Sequence, residues 1–127
     1  VMHRNTYIKS PLLLNSNYQS KDVPNWYFAG QMSGVEGYVE SCASGCIAGI
    51  SPARRLLGQE VFIFDPNTII GAMAYYVTHT DPDHFQPMNA TFGLLNYDDK
   101  GKKHDRKERY AQMALDACRT MIQKYDV

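Results

Sequence analysis

The sequence predicts an α/β fragment, mostly helical, and three observations carry that prediction. A short aromatic run, Trp26–Ala29, leads into Gly30, Gly34 and Gly37 and then into a helical pattern. From Tyr110 to Tyr125, apolar residues recur every three or four positions, the spacing of one helix face. The chain also starts at Val1, directly in structured-looking sequence, as a piece cut from a longer protein would start. Its 127 residues fit one domain, 1–127.

Composition narrows the function classes. Hydrophobic residues make up 44% and charged residues 20%, which excludes disorder over the whole length. The 13 basic and 13 acidic side chains cancel. A domain that grips RNA or DNA alone is usually basic, so none is expected to be held by this chain by itself. No apolar run approaches the ~20 residues of a membrane span. The stretch Val1–Lys9 has no continuous apolar core and is not a signal peptide. An odd count of cysteines, Cys42, Cys46 and Cys118, favours a reducing cytoplasm over a disulfide scaffold.

The elements follow in order. Leu12–Leu14 and Tyr18–Ser20 are expected to be extended, and Lys21–Asn25 is a turn signal. Trp26–Ala29, bounded by Pro24 and Gly30, predicts a short buried strand that needs neighbours. The glycines then mark a tight turn. A helix follows from Tyr38, apolar nearly all round, with Cys42, Gly45, Cys46 and Gly49 on one small-residue stripe; it is expected to be buried. Ser51-Pro52 predicts a break or kink, with Pro52–Leu57 as a second short helix and Gly58 as its stop. Val61–Phe64 is strand-like. Asp65-Pro66 opens the next helix, whose apolar face is Ile69, Ile70, Met73, Tyr76 and Val77. Phe85–Leu95 is a loop, Asn96–Lys103 is polar, and in the last helix Tyr110, Met113, Ala114, Ala117, Cys118, Met121, Ile122 and Tyr125 repeat at three- and four-residue spacing. In total, three main helices and two to four short strands are expected. Strand edges left open would favour a homodimer.

A strand, a glycine turn and a helix start make an anion-binding geometry, because free N–H groups and the helix dipole point outward. The spacing G-x3-G-x2-G is not the dinucleotide fingerprint. Spacing alone leaves a ligand role and a purely structural turn both open.

The residues around this turn resemble a family. Phe28-Ala29-Gly30-Gln31, Gly34-Val35-Glu36-Gly37-Tyr38 and Glu40-Ser41 resemble the C-terminal flavin motif of the TrmFO family, the folate- and FAD-dependent tRNA uracil-C5 methyltransferases. Met2–Ile8, Ser10-Pro11 and Tyr18–Lys21 are similar to the family's preceding segment. Gly71-Ala72, Thr78-His79, Phe85–Ala90 and Phe92–Leu95 are similar to its C-terminal signature. The resemblance covers nearly the whole chain. The Phe-Ala-Gly-Gln and Gly-Tyr pieces are shared with the related carboxymethylaminomethyl-uridine enzymes; Gln86–Leu95 favours the methyltransferase.

The resemblance implies a parent enzyme with FAD in a Rossmann-like domain. It would take a methylene group from methylenetetrahydrofolate and deliver it, by way of the flavin, to C5 of a uracil in the tRNA T-loop. NADPH or NADH would supply the hydride. The strand–Gly turn–helix unit would belong to that domain, as segment 1–58, with 59–127 a C-terminal helical segment. Gly30, Gln31, Gly34, Glu36, Gly37 and Tyr38 are the implied cofactor-binding residues. Arg4, Asn5, Gln86 and Asn89 are candidate substrate contacts, because Arg holds carboxylates or phosphates in bidentate fashion and amides bond in both senses.

The departures carry equal weight. The family's N-terminal glycine motif and its catalytic cysteines lie in segments this chain does not contain, so no catalytic residue and no metal ligand is expected here. Cys42 and Cys46 are expected to be small core residues, since two thiols do not make a zinc site. The chain alone would be inactive, with the remainder of the FAD domain and tRNA as the parent's partners and no membrane contact. The basic cluster Lys100, Lys102, Lys103, Arg106, Lys107 and Arg109 is interleaved with Asp98, Asp99, Asp105 and Glu108, the pattern of a solvated helix start. His79 is expected to serve as a helix-terminal charge partner, and His84 and His104 as solvated residues. The rival readings are the carboxymethylaminomethyl-uridine relative, a ribosomal-RNA uracil methyltransferase, and a helical interaction module without catalysis.

Overall fold

The computed structural model describes residues 6–96 and 100–126. It is mostly helical: α1 Ser10–Leu13, α2 Tyr38–Leu56, α3 Ile69–His79 and α4 Arg106–Tyr125, with one-turn 3-10 helices at Gly30–Ser33, Phe92–Leu94 and Lys103–Asp105. The three long helices match the expected ones. No helix among the described residues is long and apolar enough to cross a membrane.

The expected strands do not form. Among the described residues, pairing is confined to the isolated bridges Leu14–Ser20, Gln19–Tyr27 and Val35–Met88. Leu12 lies in α1 instead of in a strand. Trp26–Ala29 is not a buried strand: Trp26 is 59% exposed, and the run is held by Phe28 N–H donating to Tyr18 O and by Ser20 N–H donating to Trp26 O. A strand this short needs partners on both sides, and one hairpin-like neighbour leaves it half open. Val61–Phe64 is likewise irregular; Phe62 buries its ring while its backbone stays out of any sheet. Without an extended strand among the described residues, the strand-edge route to a homodimer loses its basis.

α2 runs through Pro52 without a break. Ser51 is not a cap; its hydroxyl donates to Ile47 O at 2.7 Å, one turn back inside the same helix. The predicted stop holds. Gly58 takes φ +69°, Gly58 N–H donates to Arg55 O and Gln59 N–H to Arg54 O, the two bonds of a Schellman C-cap. α3 starts three residues later than Asp65-Pro66 suggested. Asp65 shapes the preceding turn by accepting from Asn67 N–H, and Thr68 caps the helix by accepting from Gly71 N–H at 3.0 Å.

The main core joins α1, α2 and α3 through Leu14, Tyr18, Val35, Ile47, Met73, Ala74, Val77 and Phe85. α4 seats its predicted stripe on two smaller clusters. Met121 and Tyr125 pack on Phe62, and Tyr110 packs with Ala72 and Leu95. Arg54, at the end of α2, lies over both the Phe62 and Tyr125 rings at 5.6 and 5.4 Å and donates to Glu60 O. A cation on two rings ties α2 to α4. Ile122 was expected on the packed face but is 52% exposed.

The largest correction concerns α2. Its buried residues are Ser44, Ile47, Ser51 and Arg54. Cys42, Gly45, Cys46 and Gly49 lie exposed, so the cysteines are not core residues in this chain. An apolar pattern states that a helix resists water; it does not say that cover is present on every side. We expect Cys42 and Cys46 to react with a thiol reagent in a fast phase and half-buried Cys118 in a slower one. Stopped-flow thiol titration checks this; a single slow phase would count against the exposed stripe.

Candidate functional site

The glycine turn is built from hydrogen bonds that only small residues permit. Gly30 opens the 3-10 turn at φ +66°, and its N–H donates to the Ser44 hydroxyl at 2.8 Å. Ser44 in turn donates to Ser41 O. Ser33 donates to Gly30 O, and buried Ser10 donates to Ser33 O at 2.6 Å. These hydroxyls fasten the turn to α1 and α2. Gly34, at φ +91°, closes the turn under the Phe85 ring, where a Cβ would overlap Cζ and stand 3.1 Å from Cε1. Val35 and Met88 then bridge in parallel, with Glu36 N–H donating to Met88 O and Met88 N–H to Gly34 O.

Gly37 is the N-cap of α2, at φ +97° and ψ 150°. That region of backbone space is open essentially to glycine alone. Having no side chain, Gly37 gives the first N–H groups of the helix no acceptor. Tyr38 and Val39 lie too early for intrahelical bonds, and Tyr38 is 98% exposed. A 19-residue helix therefore ends its positive pole at an open surface.

Glu40 completes the helix start. Its carboxylate accepts from Ala90 N–H at 3.1 Å, and bonds from its own N–H, Ala90 N–H and the Asn89 amide hold its pKa below the ordinary glutamate value. The sign follows directly. A depressed folded pKa contributes stability above the unfolded pKa and loses it as pH falls through the folded one. We expect Glu40→Gln to flatten the loss of stability of the wild type on acidification below about pH 4.5. Urea midpoints measured along that range check this, and parallel curves would refute it.

A groove of about 380 Å³ opens here, lined by Gln31, Val35, Glu36, Gly37, Tyr38, Ser41 and Asn89. It gathers four of the six predicted cofactor residues and one predicted substrate contact. Gly30 and Gly34 shape the turn from behind it. Gln86 lies outside it; its carbonyl accepts from the Tyr76 hydroxyl at 2.9 Å. Arg4 and Asn5 lie outside the described residues, as do Asp98 and Asp99. No lysine or arginine lines the groove, so its positive end is the start of α2, where the Tyr38 and Val39 N–H groups have no helical acceptor. Such a helix start favours negative charge.

Sequence reasoning left Glu40, Ser41 and Ser44 out of the site. A carboxylate three residues after a glycine N-cap is the signal for Glu40; nothing local marks Ser44 as the acceptor for Gly30, fourteen residues away. His79 stacks on Tyr75 at 4.0 Å and sits in the last turn of α3, in the helix-terminal position expected. His84 and His104 are exposed, His84 paired with Asp81 and His104 with Asp105. Among the described residues, no three His, Cys, Asp or Glu side chains cluster to hold a metal.

Comparison with known proteins places this geometry in a lineage. The model of the family "Glucose inhibited division protein A" matches residues 1–60. A protein named methylenetetrahydrofolate–tRNA-(uracil-5-)-methyltransferase TrmFO from Streptococcus sanguinis is 54% identical over 114 residues, 90% of this chain and 26% of that protein. The protein of the same name from Streptococcus gordonii is 50% identical over 126 residues, 99% of this chain and 28% of its own length. That from Anoxybacillus flavithermus is 52% identical over 126 residues, 98% and 29% respectively. The chain thus spans between a quarter and a third of the relatives it matches. About half of all positions agree across almost its full extent, and by that agreement the chain belongs to the TrmFO family.

Proposed function

We propose that this chain is the C-terminal portion of a flavoenzyme that methylates C5 of a T-loop uracil in tRNA. Methylenetetrahydrofolate provides the carbon and NADPH or NADH the hydride. The observation that carries the reading is the identity of 50–54% with the TrmFO relatives across 90–99% of the chain. The glycine turn supports it, because the free N–H groups at Tyr38 and Val39 fit the electron-rich side of a flavin ring. FAD, when bound, supplies the one-carbon and hydride-transfer chemistry. The chain's own part is to cap, orient and stabilise: Gly37 keeps the α2 start open, and the helix dipole favours negative charge at that edge. Gln31, Glu36 and Tyr38 line the binding surface, and Gly30 and Gly34 hold the turn. Asn89, together with Gln86 and with Arg4 and Asn5, contributes to substrate contact.

In this reading residues 1–58 belong to a Rossmann-like FAD domain and 59–127 to a C-terminal helical segment. The exposed stripe Cys42, Gly45, Cys46 and Gly49 is where the rest of that domain packs. Small residues allow such close approach. The isolated chain then lacks the other walls of the site and is inactive, working in a cytoplasmic parent.

The test uses the full-length protein that contains this chain, supplied with FAD, reduced nicotinamide, labelled methylenetetrahydrofolate and an unmodified tRNA transcript. Label in 5-methyluridine of the T-loop is the expected result. Label in ribosomal RNA alone, or a carboxymethylaminomethyl product, would replace the reading by its relatives. Flavin titration of the 127-residue chain should show no saturable binding at micromolar concentration. Gly45→Ala separates packing from propensity. Nothing lies within 4 Å of the new methyl, so the isolated chain should gain about 0.5–1 kcal/mol, while the full-length protein should lose stability.

A further inference from the structure

A second, apolar cleft of about 280 Å³ lies between α2 and α3, walled by Val39, Ala43, Ile70, Met73 and Ala90. Tyr18 also lines it, and three features set this residue apart. It is 1% exposed. Its backbone sits at φ +64°, a left-handed conformation that costs a bulky residue energy and that clusters at functional positions. Its hydroxyl has no hydrogen-bond partner among the described residues, although a buried tyrosine usually finds one. No fully enclosed side-chain oxygen or nitrogen among the described residues lacks a partner, so the Tyr18 hydroxyl keeps a small accessible surface, and Tyr18 is among the residues that line the cleft. The other polar groups nearby are engaged, Ser44 with Gly30 and Ser41, Glu40 with Ala90.

We propose that this cleft is a binding site for a small, flat, neutral aromatic heterocycle whose ring nitrogen or carbonyl accepts a hydrogen bond from Tyr18. The volume exceeds the ~150 Å³ of an apolar cavity that holds benzene, so two fused rings fit. Apolar walls strip solvent from an ion, and the Glu40 carboxylate at the rim repels an anion. Burial pushes the phenol pKa up, so Tyr18 remains a donor throughout the neutral range. The inference stands apart from the flavin reading. Tyr38 and Ser41 face the groove, whereas Val39, Ala43 and Ser44 face the cleft.

The test titrates the full-length protein that contains this chain, labelled at isoleucine and methionine methyls, with quinoline and separately with naphthalene. Quinoline has a ring acceptor; naphthalene has the same shape without one. Saturable shifts at the Ile70 and Met73 methyls are expected with both probes. Tyr18→Phe should weaken quinoline about three- to tenfold, one neutral hydrogen bond, and leave naphthalene unchanged. Because the Tyr18 hydroxyl makes no internal bond, the variant should fold, and an unaltered methyl spectrum verifies that. Ala43→Leu, which fills the cleft, should abolish both responses. No saturable shift at Ile70 and Met73 would overturn the proposal and show the cleft covered by other parts of the protein. Equal weakening of both probes by Tyr18→Phe would overturn it as well. Neither result bears on flavin binding, which is read separately from its absorbance.

Discussion

Replacing Gly71 by alanine is expected to lower the stability of the chain by about 3 kcal/mol or to prevent folding outright. Gly71 sits in the first turn of α3, buried, with its N–H on the Thr68 cap. A Cβ at this position would fall inside contact distance of Asp65 O and Asp65 C and 2.8 Å from Phe64 O. All three are backbone atoms, so no rotamer change relieves the clash. Either the Asp65–Thr68 turn opens, losing the cap and the bonds that Asp65 makes, or α3 shifts against the core that Met73, Ala74 and Val77 build. A domain of this size has roughly 5–15 kcal/mol in hand, and the loss would be a large share of it. Urea unfolding followed by circular dichroism measures the difference. A change below about 1 kcal/mol would mean that the Asp65 turn is far more compliant than its hydrogen bonds indicate.

Gly37→Ala is expected to weaken flavin binding by the full-length protein about ten- to hundredfold. At φ +97° and ψ 150° the backbone of Gly37 is denied to alanine at a cost of about 1–3 kcal/mol. The new methyl would also overlap the Glu40 carboxylate and stand 3.0 Å from the Asn89 amide nitrogen. Glu40 is a flexible side chain and can turn away, but it then releases Ala90 N–H. The helix start would be rebuilt in another conformation, and the positive end of α2 would no longer be held at the groove. Flavin absorbance after gel filtration and a titration of the apoprotein report the effect. Unaltered flavin affinity in Gly37→Ala would remove the α2 start from the binding surface.

Much of the helical architecture was legible. The stop at Gly58 could be read from its residue type, because a left-handed C-cap is a local demand. The Tyr110–Tyr125 stripe was legible because one face of one helix repeats at its own period. The strands were not. Trp26–Ala29 has the composition of a strand, but a strand exists only with partners, and the described residues offer it the short stretch Tyr18–Ser20 on one side. The start of α3 moved from Asp65 to Thr68 because two residues with capping side chains stand three apart, and the winner depends on which turn packs under Gly71. At the candidate site, the glycines announced unusual backbone and the structure places them at φ +66°, +91° and +97°. Ser44, Glu40 and Ala90 could not be found that way, since their bonds span 14 to 50 positions.

By itself the sequence determined that the chain is helical, that a glycine turn precedes a long helix, and which family it resembles. Each of these is written in neighbouring residues or in short words that survive between relatives. The tertiary structure alone decided which side of α2 is covered and which is bare, why Gly34 must lie under Phe85, and how the loop after α3 returns to cap the start of α2 through Met88, Asn89 and Ala90. It also decided that Tyr18 holds a strained backbone and an unpaired hydroxyl beside an apolar cleft. The physical reason is the same in every case. Periodicity and propensity report what a segment tolerates, whereas burial and hydrogen-bond partners depend on which distant segment arrives to meet it.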